Sequence, residues 1–185
     1  MQNAAKILNT PGKIAVIPTD TVYGVVARAK DPEAVAKLYK LKRRERKPGT
    51  LIAATIKGVE ELGIKHRYLK AVEDYWPGPI SVLIPTSDPK LNYLTQGLTS
   101  LAVRIPKDQP LNELLSATGP LITSSANLPG EPPAKNIKGA KEYFEDRVDY
   151  YQDGGELDNE PSTIIRIVDD AVEVIRPGAY MDPKW

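Results

Sequence analysis

Four stretches of the chain put chemically capable side chains close together. In "KLKRRERK", residues 40–47, Lys42 and Arg44 stand two apart, with Arg46 and Lys47 behind them. An ammonium is a compact charge and a guanidinium a planar fork, so the pair suits a triphosphate. In a regular helix, positions two apart diverge by about 200 degrees, and the two cations converge on one ligand only if the helix ends there. Pro48 and Gly49 favour such an ending, because the residue before a proline tends to leave helical geometry. A solvated basic helix end is the plainer alternative.

In "LITSSANLPG" an apolar run leads into Thr123, Ser124, Ser125 and Asn127. Hydroxyls and an amide then stand at a strand end, where open α/β sheets bind ligands; a turn that satisfies its own backbone would use the same residues. No histidine is near, which disfavours a nucleophilic serine. Third, Arg104 interrupts the apolar run "SLAVRIP". A guanidinium is not left unpaired in a core, so Arg104 either meets a buried carboxylate or faces a cavity that takes an anion. Arg176, in "VIRPG", raises the same question, with a surface salt bridge as its plainer fate. Fourth, "IPTDTVYG", residues 17–24, sets three hydroxyls, a carboxylate and a glycine behind a strand-like run. It is either a polar turn or one wall of a site.

Composition narrows what these stretches do. The chain has 185 residues, enough for one domain with a full core, and a single domain is expected. Apolar residues are 41% and charged residues 26%, the balance of an ordinary globular protein. With no cysteine there is no disulfide, thiolate nucleophile or cysteine zinc site. The one histidine, His66, lies among Lys65, Arg67 and Lys70 and reads as surface; a histidine metal cluster or histidine-based triad is disfavoured. Neither GxxxxGK[ST] nor GxGxxG occurs, so a nucleotide would not sit in either common glycine-rich cradle. Apolar stretches are strand-length, far below the roughly 20 residues of a membrane span, and the first residues lack a signal pattern. A cytoplasmic address is expected. The net charge is only +1, yet residues 37–47 hold seven Lys or Arg against one Glu, and residues 142–160 hold eight acids against one Arg. Such asymmetry points to a local anion site rather than a nucleic-acid coating.

The elements that must position these side chains alternate along the chain. "KIAVIP" reads as a buried strand, and "DPEAVAKLYKLKRRE" as a helix with Asp31 as N-cap and Pro32 in its first turn. "TLIAATI", "WPGPISVLIP", "SLAVRIP", "PLITSS" and "VDYYQ" read as strands, with helices expected over 68–75, 111–117 and 139–146. Trp76 is expected to close the core. "STIIRIV" and "AVEVIRP" form a terminal hairpin turning at Asp169 and Asp170. The pattern predicts an α/β domain with an open, twisted, mixed sheet flanked by helices.

Taken in order, "PTDTVYG", "LKRR", "WPGPISVLIP", "SLAVRIP", "TSSANLPG" and "PSTIIRI...VIRPG" resemble the YrdC-like family of L-threonylcarbamoyladenylate synthases, over residues 13–178. The resemblance implies a nucleotidyltransferase that makes threonylcarbamoyl-AMP and pyrophosphate from L-threonine, bicarbonate or CO2, and ATP with Mg2+. The product would serve threonylcarbamoyladenosine modification of tRNA, through hand-over to a tRNA threonylcarbamoyl transferase complex. It also implies residue roles: Lys42 and Arg44 as the catalytic, phosphate-meeting pair; Thr19, Tyr23, Arg104, Thr123 and Ser162 for threonine; Ser100, Ser125, Asn127 and Arg176, with Lys42 and Arg44, for ATP; and no protein residue as direct metal ligand. Asp20 and Thr21 are left to the turn. Glu45 stands where many members have proline after the Lys-x-Arg pair, so Arg46 or Lys47 could share the phosphate contact. A non-catalytic RNA-binding module and a related carbamoyl-adenylate transferase are the alternatives.

Overall fold

The computed structural model describes residues 1–169 and 171–183. In chain order the elements are α1 (Gln2–Leu8), β1 (Ile14–Ile17), β2 (Gly24–Arg28), α2 (Pro32–Leu41), β3 (Thr50–Ile52), α3 (Ile56–Glu60), α4 (His66–Lys70), β4 (Ile80–Pro85), α5 (Asn92–Thr95), β5 (Ser100–Arg104), α6 (Gln109–Thr118), β6 (Leu121–Ser125), α7 (Ile137–Phe144), β7 (Tyr150–Tyr151), β8 (Thr163–Val168) and β9 (Ala171–Arg176). Side-chain caps set the helix starts: Asp31 accepts from the Ala34 N–H at 3.0 Å, Asp108 from Leu111 at 2.8 Å and Asn136 from Gly139 at 3.0 Å. Asp31 also accepts from the Gly12 N–H at 2.8 Å, tying the approach to β1 to the start of α2.

The strands form one open mixed sheet in the order β7-β1-β2-β6-β3-β5-β4-β8-β9. β1 with β7, β3 with β5 and β4 with β8 run parallel; the other neighbours are antiparallel. Side chains alternate between the faces with period two, and the two faces differ. One carries Val25, Leu51, Val82, Val103 and Ile122 into the larger apolar core, which α2 and α7 join through Leu38 and Phe144. The other is divided along its strands. One part, with Val26, Ile52 and Leu121, packs beneath α1 and α6 through Leu8, Leu111, Leu114 and Leu115. The remaining part carries small and polar side chains and is uncovered by either helix.

Several expectations are refined. β2 follows the polar burst at 19–23 without a gap, and its apolar run "GVVA" shows no period because both faces are covered. α3 and α5 are too short to show a period, and α1 precedes the first expected strand. The helix expected over 68–75 is α4 followed by a 3-10 turn at Glu73–Tyr75. α2 stops at Leu41, with Arg43 in the left-handed region at φ 48°, before the whole basic run is used. Trp76 packs against the larger core and donates its indole N–H to the Ile80 carbonyl at 2.9 Å. His66 is exposed and pairs with Glu60. β8 and β9 pair as the expected hairpin, with Asp169 at φ 49°; Asp170 lies outside the described residues. Among the described residues no helix is long and apolar enough to cross a membrane.

Asp149 fastens the β7 edge. One of its oxygens accepts from Lys13 at 2.9 Å, and the other from the Ile14 N–H at 3.0 Å and from Lys37 at 2.5 Å. Burial alone would raise this carboxyl; the Ile14 bond and the two ammoniums outweigh it and bring it down to about 2. A carboxyl held below its unfolded value contributes stability above that value and loses it as pH falls through the folded one. Asp149→Asn is therefore expected to cost about 1–2 kcal/mol at pH 7, allowing for solvent around the half-exposed lysines. In thermal melts at stepped pH, the gap to the parent should close from 3.8 down to about 2; a gap that ignores pH would refute the clasp.

Candidate functional site

A cavity of about 390 Å³ opens over the polar part of the second sheet face. Its floor is a cross-strand row. Thr123 pairs with Thr50, Thr50 with Ala102 and Ala102 with Leu83, and all four line the cavity. Ser100, Ala102 and Arg104 line it from alternate positions of β5. The site expected at strand ends thus lies mainly on a sheet face, because period-two spacing aims all three side chains the same way. Two glycines make the room. A Cβ on Gly24 would stand 2.5 Å from Thr123 Oγ1, and one on Gly49 2.5 Å from the Thr123 carbonyl oxygen. Neither has a positive φ. Gly24 opens β2 and is there for space; it is not a turn glycine.

Arg104 meets both fates offered by the sequence. Its side chain is 3% exposed, its Nη2 is 3.1 Å from Asp20 Oδ1, and Nη1 donates to Thr21 Oγ1 at 3.3 Å. It also lines the cavity floor. Burial pulls its guanidinium down from the usual arginine range, against the Asp20 charge; burial likewise pushes the Asp20 carboxyl up, against Arg104. Asp20 and Thr21 are therefore more than a turn: one is the counter-charge of Arg104, the other a wall. The segment is turn and wall together, since Thr19 Oγ1 donates to the Val22 carbonyl at 2.7 Å while Thr19 lines the cavity.

The mouth is cationic. Arg44, Arg46, Lys47 and Arg176 line it, and among the described residues none of them has a carboxylate at ion-pair distance. Burial, then the nearby Arg44 and Arg104 charges, depress the Arg176 guanidinium. Arg176 donates to the carbonyl and hydroxyl of Ser162, and the Ser162 hydroxyl lies 2.9 Å from that of Ser81. Among the described residues Arg176 makes no salt bridge, the plainer alternative for it. Facing these cations are the hydroxyl-bearing walls Ser100, Thr123, Ser124, Ser125 and Ser162.

Three expected site residues are not walls of this cavity. Lys42 is buried behind it: its ammonium donates to the Ser125 carbonyl at 2.7 Å, to Asn127 Oδ1 at 2.8 Å and to the Asn127 carbonyl. Burial, then the Arg44 charge, brings Lys42 down to about 7. The three oxygens match the three donors of the charged form. Asn127 also accepts from Ser125 Oγ at 2.7 Å, so Lys42 and Asn127 together fix the one member of this knot that reaches the cavity, Ser125. Lys42 and Arg44 diverge even though the helix has ended. Tyr23 is fully buried, and its hydroxyl donates to the Gly155 carbonyl and accepts from the Gly154 N–H, both at 2.8 Å. It holds the segment leading to Ser162 and is not a wall of this cavity.

Residues 8–178 match the Sua5/YciO/YrdC family model, described as "Telomere recombination". The chain belongs to the Sua5/YciO/YrdC family. It is 37% identical over 159 residues to the threonylcarbamoyl-AMP synthase of Coxiella burnetii, covering 83% of this chain and 84% of that one. To the putative threonylcarbamoyl-AMP synthase of Methanocaldococcus jannaschii it is 34% identical over 176 residues, 94% of this chain and 82% of the other. Its fold superposes on the crystal structure of P. abyssi Sua5 complexed with L-threonine with a TM-score of 0.84 at 30% identity, covering 96% of this chain. It spans about half of that Sua5 chain, 53%.

For this Sua5/YciO/YrdC member the cavity's donor set decides how a magnesium ion would fit. Among the described residues no cluster of three or more His, Cys, Asp or Glu could hold a metal, and no carboxylate lines the cavity. The cations suit phosphate oxygens and repel a divalent ion, the carboxylates that hold such an ion without substrate are missing from these walls, and hydroxyls serve Mg2+ alongside a nucleotide phosphate. The walls do not fit a resident ion. Thr21, expected only in the turn, is also a wall: the bend at residues 20–22 folds it back on Thr19, whose Oγ1 accepts from the Thr21 N–H at 3.2 Å. Asp20→Asn leaves Arg104 charged and unmatched, and is expected to destabilise the fold by about 3 kcal/mol. Asp20→Asn combined with Arg104→Met should recover much of that in denaturant unfolding. A double variant no more stable than Asp20→Asn would show that the pair is not coupled.

Proposed function

We propose that this chain forms threonylcarbamoyl-AMP and pyrophosphate from L-threonine, bicarbonate and ATP. The observation that carries this is Arg104, a guanidinium held by Asp20 and Thr21 on the floor of a cavity whose mouth is ringed by further cations. A floor cation suits an amino-acid carboxylate and a cationic mouth suits a triphosphate. The threonine bound in the P. abyssi relative and the synthase names of the C. burnetii and M. jannaschii relatives support the same substrate.

The chemistry follows from such a site. Threonine's amine condenses with bicarbonate, losing water, to give a carbamate. A carbamate oxygen then forms a bond to the α-phosphorus of ATP, and the bond from that phosphorus to the bridging oxygen breaks, releasing pyrophosphate. No protein nucleophile takes part, in keeping with a chain that has no cysteine and one exposed histidine. The residues position and neutralise anions: Arg104 the substrate carboxylate, Thr19, Thr21 and Thr123 the small polar pocket around it, and Arg44, Arg46, Lys47 and Arg176 the phosphates. Lys42, Asn127 and Tyr23 act from behind the walls, through Ser125 and the approach to Ser162. Magnesium enters on the triphosphate as part of the substrate. The adenylate then passes to a transferase that modifies tRNA.

Pyrophosphate release should require threonine, bicarbonate and ATP together, and carbamoyl phosphate should not replace the first two. Turnover without threonine, or none, refutes the proposal, and RNA binding without adenylate formation would point to a non-catalytic module. Arg104→Lys keeps the charge and loses the fork. It is expected to raise the threonine KM about tenfold, equivalent to 1.4 kcal/mol, with the ATP KM nearly unchanged. Equal rises in both would remove Arg104 from the carboxylate.

A further inference from the structure

We infer that Gln96 is a positioning residue for the cations at the cavity mouth, its side-chain amide locking the loop that carries Arg44, Arg46 and Lys47. The inference rests on the proposed reading of that mouth as the phosphate side. The loop between α2 and β3 is conformationally costly: Arg43 and Arg46, neither of them glycine, have φ of 48° and 51°. Such geometry persists only where the surroundings hold it. Part of the hold is internal, since Arg44 Nη1 donates to the carbonyls of Lys47 at 3.1 Å and Pro48 at 3.0 Å. Tyr39 adds its hydroxyl, which accepts from the Gly49 N–H at 3.2 Å and donates to the Leu94 carbonyl at 2.6 Å.

The remaining hold comes from outside the loop. Gln96 Nε2 donates to the Arg44 carbonyl at 3.2 Å, and Gln96 Oε1 accepts from the Lys47 N–H at 3.0 Å. One planar amide thus spans the backbone on both sides of Arg46. The task needs a donor and an acceptor on a single group: glutamate at neutral pH lacks the donor and lysine the acceptor. Gln96 is itself left-handed, at φ 52°, and is followed by Gly97 at φ 76°. This turn after α5 brings the amide to the loop. Gln96 is not a wall of the cavity, so it acts on a bound phosphate only through the residues it holds.

The test is equilibrium binding of a non-hydrolysable ATP analogue with magnesium, measured by calorimetry on the full chain carrying Gln96→Ala or Gln96→Glu. Threonine binding and hydrogen exchange at the Lys47 amide are followed in parallel. Gln96→Ala is expected to weaken the analogue about tenfold and speed Lys47 exchange, with threonine affinity within about twofold of the parent. Gln96→Glu, which keeps the shape and the acceptor, should retain Lys47 protection while losing the bond to Arg44. Analogue affinity unchanged in both variants overturns the inference, as does equal weakening of analogue and threonine, the mark of general loosening. A parent that binds the analogue but makes no adenylate would overturn the proposed activity and leave the role of Gln96 standing. A parent that binds no analogue would remove both.

Discussion

Arg104 is kept 3% exposed on the interior strand β5, with one carboxylate, Asp20, 3.1 Å away. A charge so placed must be matched by the fold or by what enters it. The match within the fold is incomplete. Arg104 Nε and both Asp20 oxygens lack well-formed hydrogen bonds among the described protein atoms, and burial pushes the Asp20 carboxyl up, against Arg104 and the backbone N–H groups of Asp20 and Lys107. Replacing such a pair with apolar groups of similar volume often leaves stability equal or better, so packing alone does not account for it. The pair makes sense if the guanidinium has a further partner from the cavity side.

The sheet absorbs that cost by dividing its faces. One face is given mainly to the larger apolar core, where Leu51, Val82, Val103 and Ile122 are fully buried. The other is divided along its strands, so that a shift of two residues changes what a side chain meets: Ile52 and Leu121 lie under α1 and α6, while Thr50 and Thr123 line the cavity. A one-residue slip of β6 would turn Ile122 toward the cavity side and Thr123 into the core. Register in this sheet therefore specifies the core and the site at once, and a rigid site follows from a rigid core.

What was legible in the sequence follows from how local the cause is. Asp31 with Pro32 announces the start of α2 because capping acts within three residues. Arg104 announces itself because a guanidinium in an apolar strand has few acceptable fates, and both of those foreseen occur. Family resemblance supplies Ser100 and Ser162, which no local pattern singles out, and decides for Arg44 and Arg176, which local chemistry leaves open; the fold gathers all four on one cavity. Lys42, Asn127 and Tyr23 stand behind the cavity walls for the complementary reason. Whether a lysine meets a ligand or the carbonyls behind a wall depends on the turn after β6, more than 80 residues away. Gly24 looked like turn punctuation, and only the antiparallel neighbour β6 shows that it makes room for Thr123.

Depth separates the cations that line the cavity, and that separation gives the cavity a direction. Arg104 is sealed on the floor, whereas Arg46 and Lys47 stand exposed at the mouth. Arg44 is half-buried between these extremes and Arg176 is exposed beside Ser162; after burial, repulsion from the nearby Arg44 and Arg104 charges lowers the Arg176 guanidinium. Without an anion, that repulsion is a cost carried by the fold, and any anion binding there offsets it and stabilises the native state by mass action. A small zwitterion, on the proposed reading, takes the floor, where its carboxylate meets Arg104, and a polyanion takes the mouth, where several cations line the cavity. On the proposed reading, the carbamate formed at the amine of the floor ligand points outward to the α-phosphorus of the mouth ligand. The reaction then needs little from the protein beyond holding two anions at unequal depths.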